Sequence, residues 1–462
     1  MTSLHQSPDT IRTDFSAAMS AMYKNEVPAY GALVDIVSQA NGDVLGGPAA
    51  GALNLTPEED TDRISQERHG AIRLGTTEEL SMMARIFAVM GMYPVGYYDL
   101  SIASVPVHST AFRPINRENL AKNPFRVFTS LLRLELIADE ALRAQATALL
   151  AARNIFTPRA IELTEKAEAD GGLSAQDAGV FVQEVLEAFR WHADACVDAD
   201  TFDALNAAHR LIADVVSFKG PHINHLTPRT LDIDAAQAAM IAQGLPAKAV
   251  VEGPPRRNCP ILLRQTSFKA LEEEIRFLDV AGKGALGTHT ARFGEIEQRG
   301  VALTPKGRAL YDSLLTQVRA TIRPAADGSN AQDYNETLSA TFAAFPDDWR
   351  ALHDEGLGYF KYSVTGTSAA ATGHDLQSLL DAGVLTLSPV IYEDFLPVSA
   401  AGIFQSNLGD GDDATVQAKS SQHLFEEALG RQVADQFALY EEIQTASLAA
   451  CLQQVGTAGD TA

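Results

Sequence analysis

The sequence predicts an α+β protein in which a curved mixed sheet is wrapped by helices, and three observations carry that reading. Segments such as VGYYDLS, PILLRQTSF, ARFGEIEQRGVALT, YFKYSVTG and VLTLSPVIYEDFLPVS are rich in β-branched and aromatic residues and read as strands. Stretches with apolar residues at helical spacing lie between them, the longest being a helical block over residues 131–216. Strands and helices intermix without a regular βαβ rhythm, which favours α+β over the alternating α/β class. The strands are far apart in sequence, so long-range pairing must close their sheet.

The elements can be justified in chain order. Residues 11–37 place Phe15, Met19, Met22, Leu33, Val34 and Val37 at helical spacing, and Pro28 divides them into two helices. Residues 39–62 replace that periodicity with Gly, Pro, Ala and acids, and read as a loop or weak helix. Within the helical block Ser174 precedes Asp177 and the run Phe181, Val182, Val185, Leu186 and Phe189, the pattern of a capped amphipathic helix. Thr304 and Pro305 start another, with Leu310, Leu314, Leu315 and Val318 on one face. With 462 residues, 46% of them hydrophobic, the chain can bury a large core, and it is expected to form one elaborated domain over residues 1–462.

Composition excludes several function classes. Thirty-six basic residues against 59 acidic ones give a net charge of −23, which repels phosphate backbones and anionic membrane surfaces, so neither nucleic acid nor membrane is an expected partner. The chain has no apolar run of about 18 residues, and MTSLHQSPDTIRTDF lacks a secretory pattern, so a cytoplasmic location is expected. Cys196, Cys259 and Cys451 are too few and too dispersed for a disulfide framework or a cysteine zinc site. Any metal must therefore be held by His and carboxylate.

The common nucleotide, hydrolase and zinc-protease signatures are absent. What remains is a set of His, Glu and Arg residues in unusual contexts: ERHGAIR with His69 and Arg73, GPHINHLTPR with His222 and His225, and ARFGEIEQRG with Glu295 and Glu297. Iron(II) oxygenases use two imidazoles and a carboxylate on one face of the metal, leaving positions for a chelating substrate and O2. Spacing does not choose among these candidates. Pro221 and Pro228 bracket the two histidines and argue for a loop, while on a strand Glu295 and Glu297 point to the same side. His108 and His289 fit structural roles better than roles near a metal, and Arg264 and Arg292 either shape a positive pocket or pair with acids. Tyr392, Glu393 and Asp394 read as structural, because acids beside a dianionic ligand oppose its binding.

Together the blocks ERHGAIR, GYYDL, VPVHSTAFR, FTSLLRLELI, FKGPHINHLTPRTLDID, ARFGEIEQRG and YEDFLPVSAAGIFQSNLG resemble the 2-oxoadipate dioxygenase/decarboxylase family over nearly the whole chain. The resemblance implies a sheet related to the vicinal oxygen chelate fold and an Fe(II) cofactor. It also implies conversion of 2-oxoadipate and O2 to 2-hydroxyglutarate and CO2 in lysine catabolism. It matches His69, His225 and Glu295 to the family's metal ligands, makes His69 and Arg73 substrate contacts, and places Val398 and Ser399 in the block that touches substrate. A 2-oxo acid can chelate iron through its carboxylate and keto oxygens, and a guanidinium fork suits the distal carboxylate. The rival readings are an isomerase or lyase using Zn, Ni or Mn on the same fold, and a non-catalytic dicarboxylate-binding protein.

Overall fold

Seven strands pair into one curled mixed sheet in the computed structural model, which describes residues 5–47, 61–278, 285–325, 327–366, 375–396 and 418–459. In chain order the strands are β1 (Arg68–Leu74), β2 (Tyr93–Asp99), β3 (Val107–Arg113), β4 (Arg126–Leu132), β5 (His225–Pro228), β6 (Leu263–Ser267), β7 (Glu272–Arg276), β8 (Leu286–Thr290), β9 (Phe293–Arg299), β10 (Phe360–Val364) and β11 (Leu385–Pro389). The large sheet runs β2-β3-β4-β1-β5-β9-β6, while β7-β8 and β10-β11 are separate two-stranded pairs. The contacts β1 to β4 and β5 to β9 are parallel and the others in the large sheet antiparallel.

Both faces of the sheet are covered, and this explains its burial pattern. Every residue of β3 and β4 is buried. One face contributes Ile72, Leu74, Val127, Leu131, Leu226 and Ile296 to a core shared with Phe15, Leu33, Phe87 and Phe181. Those four come from the helices Pro8–Glu26, Pro28–Gly46, Thr77–Val89 and Ala175–Leu186. The opposite face contributes Ala71, Ala111, Phe128 and Leu132 to a second core with Phe202, Leu205, Ile212 and Val216. A third core gathers Ile261, Leu263 and Val301 with Tyr311, Leu315, Phe342 and Leu352 from later helices. Gly294 shows how tightly the first layer packs on β9: a Cβ there would lie 2.2 Å from a ring carbon of Phe268 and 2.9 Å from Leu33.

The fold expected from sequence is present, with local corrections. Pro28 does divide two helices, Pro8–Glu26 and Pro28–Gly46. Of residues 39–62, expected as a loop or weak helix, Gln39 to Gly46 continue the second helix, and 48–60 lie outside the described residues. Buried Asn41 holds the helix there, donating to the Arg229 carbonyl at 3.0 Å and accepting from the Leu231 amide at 2.7 Å. The helical block starts later than residue 131. Leu131 and Leu132 close β4, and the first helix of the block is Glu140–Ala151, with Asp139 as its cap. Ser174 caps its helix as expected, accepting from the Asp177 amide.

Thr304 accepts from the Gly307 amide at 3.1 Å and donates to the Gly356 carbonyl at 2.7 Å, fixing the start of Pro305–Thr321. Replacing a capping hydroxyl costs about 1 kcal/mol. Thr304→Ala is therefore expected to lower the unfolding free energy, read from a denaturant titration, by that amount while leaving metal uptake unchanged. A loss of metal uptake would show that the cap acts on the site.

Candidate metal centre

The period of two along a strand sets the site. On β1 it turns His69, Ala71 and Arg73 to one face. The antiparallel partner β5 puts Thr227 opposite His69 and His225 opposite Ala71. Parallel β9 pairs Phe293 with His225, so Glu295 falls beside Thr227, and β6 brings Ser267 opposite Glu295 and Gln265 opposite Glu297. Residues 226 positions apart in sequence thus share one small volume. Ligand atoms of His69, His225 and Glu295 all lie within 4.8 Å of one another, and all three residues are fully buried.

Glu295 Oε2 is 3.3 Å from His69 Nε2 and 3.6 Å from His225 Nε2. Thr227 Oγ1 and Gln265 Nε2 donate to that same oxygen at 2.9 and 3.0 Å. Among the described residues, Glu295 Oε1 and both ring nitrogens of His225 have no hydrogen-bond partner. Orphaned buried polar groups of this kind cost about 1–3 kcal/mol each, which is a poor arrangement for a purely structural cluster. Burial raises the Glu295 carboxyl above its ordinary range and drives the His225 imidazole well below its own. Each is pushed toward its neutral form, whereas His69, whose burial is outweighed by Glu297 and Glu295, is shifted toward its charged form. Two imidazoles and one carboxylate fit a divalent transition-metal ion.

Glu295 and Glu297 share a face, as their spacing requires, but meet His69 on opposite sides of its ring. Glu297 Oε2 lies 3.0 Å from His69 Nδ1. Burial alone would raise the Glu297 carboxyl, yet the Arg299 guanidinium, with His69 and Arg126, outweighs it and holds the pKa at about 2. Behind this pair lies a buried ionic network. Glu67 accepts from Arg63, Arg126 and Arg229 at 3.1, 2.9 and 2.9 Å, and Glu393 pairs with Arg63 and Arg126. Asp394 pairs with Arg113. Glu393 and Asp394 are thus the structural acids they were expected to be.

Arg73 also lies on the site face, but its partner is neither of its acidic neighbours in sequence, Glu67 and Glu78. Its Nη1 donates to Asp214 Oδ2 at 2.7 Å. Arg73, Asp214, Arg210, Lys248, Ser267 and Phe293 line a cavity of about 340 Å³. Ser267 and Phe293 connect this cavity to the strands that carry the cluster.

Asp214 is a hub that sequence reasoning missed. His289 Nε2 lies 2.9 Å from its Oδ1, and His222 Nε2 lies 3.5 Å from the same oxygen. His222 therefore stands apart from the cluster, beside Asn224 and against the Trp191 ring. His108 packs on Tyr97 and Phe425. Arg264 pairs with Asp234, and Arg292 with Glu26 and Glu273. Gln265 and Thr227 were missed because only strand register brings them to Glu295. Val398 and Ser399 lie outside the described residues.

Comparison with known proteins agrees with this geometry. The family model for 2-oxoadipate dioxygenase/decarboxylase matches residues 15–407. A 2-oxoadipate dioxygenase/decarboxylase of Pseudomonas putida is 57% identical over 452 residues, covering 97% of each chain. One of Escherichia coli is 53% identical, covering 96% of this chain and 98% of its own. The crystal structure of the Pseudomonas putida hydroxyglutarate synthase in complex with 2-oxoadipate superposes with a TM-score of 0.90 at 55% identity, covering 98% of this chain and 99% of that one. A match of that length and identity shows that the chain belongs to the 2-oxoadipate dioxygenase/decarboxylase family.

Proposed function

We propose that this enzyme is an iron(II)-dependent, cytoplasmic dioxygenase/decarboxylase of lysine catabolism that converts 2-oxoadipate and O2 to 2-hydroxyglutarate and CO2. The observation that carries the metal role is the buried trio His69, His225 and Glu295, whose Glu295 Oε1 and His225 nitrogens have no hydrogen-bond partner among the described residues. The substrate follows from the relatives, one of which is a hydroxyglutarate synthase crystallised with 2-oxoadipate. Among the described residues no helix is long and apolar enough to cross a membrane. We read the chain as one catalytic domain, because the cluster draws on strands from β1 to β9 and Phe395, near the end of a described segment, packs its ring 4.8 Å from that of His69.

In this reading His69, His225 and Glu295 hold the metal, and His69, Arg73, Val398 and Ser399 contact substrate. Bound iron(II) would supply a chelation centre for a 2-oxo acid and a site of O2 activation. The protein's part is positioning. Thr227 and Gln265 fix the Glu295 carboxylate, Arg73 receives the distal carboxylate, and the rings of Phe128 and Phe395 wall the site against water. The stoichiometry closes, since a six-carbon 2-oxo diacid plus O2 contains the atoms of a five-carbon 2-hydroxy diacid plus CO2.

The test is anaerobic reconstitution with iron(II), followed by oxygen-electrode and product analysis. One O2 is expected per 2-oxoadipate, with no 2-oxoglutarate added, because the substrate supplies both the chelating group and the carbon that is hydroxylated. A requirement for a separate oxo-acid cosubstrate, or turnover without O2, would sink the proposal.

A further inference from the structure

The two carboxylates of β9 approach His69 from opposite edges, and only one of them belongs to the donor trio. The other, Glu297, is fully buried, and its Oε2 stands 3.0 Å from His69 Nδ1. It is held there firmly. Arg299 Nε and Nη2 donate to its two oxygens at 2.9 and 3.0 Å, and Arg299 Nη1 donates to the carbonyls of Tyr392 and Asp394 at 2.8 and 3.0 Å. An ionised carboxylate can only accept. A carboxylate fixed at Nδ1 therefore calls for the ring proton on Nδ1, which leaves the lone pair on Nε2, the nitrogen that faces Glu295.

We infer that Glu297 is a positioning residue: anchored by Arg299, it sets the tautomer and ring orientation in which His69 presents Nε2 to the metal. The inference rests on reading His69, His225 and Glu295 as the metal site. It also distinguishes the two histidines. Among the described residues His225 faces a carboxylate only through Nε2, 3.6 Å from Glu295, and its ring packs on Phe293 at 4.8 Å and His69 at 5.4 Å. His69 is oriented by a charge and His225 by its neighbours' shape. Carboxylate partners of this kind typically contribute 10–100-fold to metal affinity, by fixing orientation and raising ligand basicity.

The experiment measures Co(II) binding to the full-length apoprotein by chelator competition and by visible absorption, a readout independent of turnover. Glu297→Gln keeps the side chain's shape and removes its charge, and is expected to weaken Co(II) binding by about 10–100-fold and to shift the Co(II) spectrum. Arg299→Lys keeps the positive charge but loses the fork that fixes Glu297, and is expected to weaken binding by a smaller factor in the same direction. It serves as the deciding variant should Glu297→Gln fail to fold. A merely structural Glu297 would lower the thermal midpoint of the apoprotein while leaving affinity and spectrum as in the wild type. Wild-type affinity in the folded variants overturns this inference and leaves the metal reading standing. Failure of the wild type itself to take up Co(II) overturns the metal reading, and this inference with it.

Discussion

His69→Ala, His225→Ala and Glu295→Ala are each expected to reduce metal binding and turnover to background. Three protein donors are the minimum that fixes a metal while leaving positions for a bidentate substrate and O2, so the loss of any one leaves two donors in a buried space. His222→Ala and Glu297→Ala are expected to retain a measurable fraction of both. His222 belongs to the Asp214 hub, and Glu297 touches His69 from outside the trio. Metal content after dialysis against iron(II), read beside the thermal midpoint of the apoprotein, separates loss of a ligand from loss of the fold. Glu295→Gln sharpens the test. Burial opposes the charge of Glu295, so a neutral residue of the same shape is expected to leave the metal-free protein at least as stable while abolishing uptake. Loss of metal in His222→Ala with retention in His225→Ala would reverse the assignment of the two histidines.

Local rules made the helices legible and left most of the sheet hidden. The break at Pro28 and the caps at Ser174 and Thr304 depend on neighbours within four residues, and all three stand where the sequence puts them. Strands β2, β6, β9, β10 and β11 were readable from β-branched and aromatic content. The centre of the sheet was not: β1, β3, β4 and β5 attracted notice for their polar residues or blended into neighbouring segments. Burial on both faces removes the alternation that marks a half-exposed strand. The polar residues facing the site, His69, Arg73, Arg126 and Ser130, also interrupt the apolar run that would mark a buried one. The candidate site shows the same division. Residue types and the shared face of Glu295 and Glu297 could be read, whereas the side from which each meets His69 depends on register with β1 and β5. Arg73 pairs with Asp214, 141 residues away, a partner that no local pattern reaches.

That pairing shapes the expected result for Arg73→Ala. Arg73 stands four residues after His69 on the same face of β1 and lines the cavity of about 340 Å³ beside the cluster. Its Nη1 is committed to Asp214 at 2.7 Å, while Asp214 also faces His289 and His222. Asp214 thereby fixes the guanidinium in place, and the fork geometry of arginine suits a ligand carboxylate. A charge-assisted hydrogen bond to the distal carboxylate is worth about 1.5–3 kcal/mol, so kcat/KM for 2-oxoadipate is expected to fall by roughly 10 to 100-fold or more. Metal uptake should survive, because the donor trio is untouched. Monocarboxylic 2-oxo acids of similar length lack the group that Arg73 is proposed to hold. They should be poor substrates for the wild type and lose little further activity in the variant. If Arg73 serves only to neutralise Asp214, the variant should instead lose stability, because a buried carboxylate is left with fewer partners, and substrate preference should not change. Steady-state kinetics on the dicarboxylate and monocarboxylate pair, with thermal melts alongside, separate the two cases: an equal fractional loss on both substrates rules out the carboxylate grip.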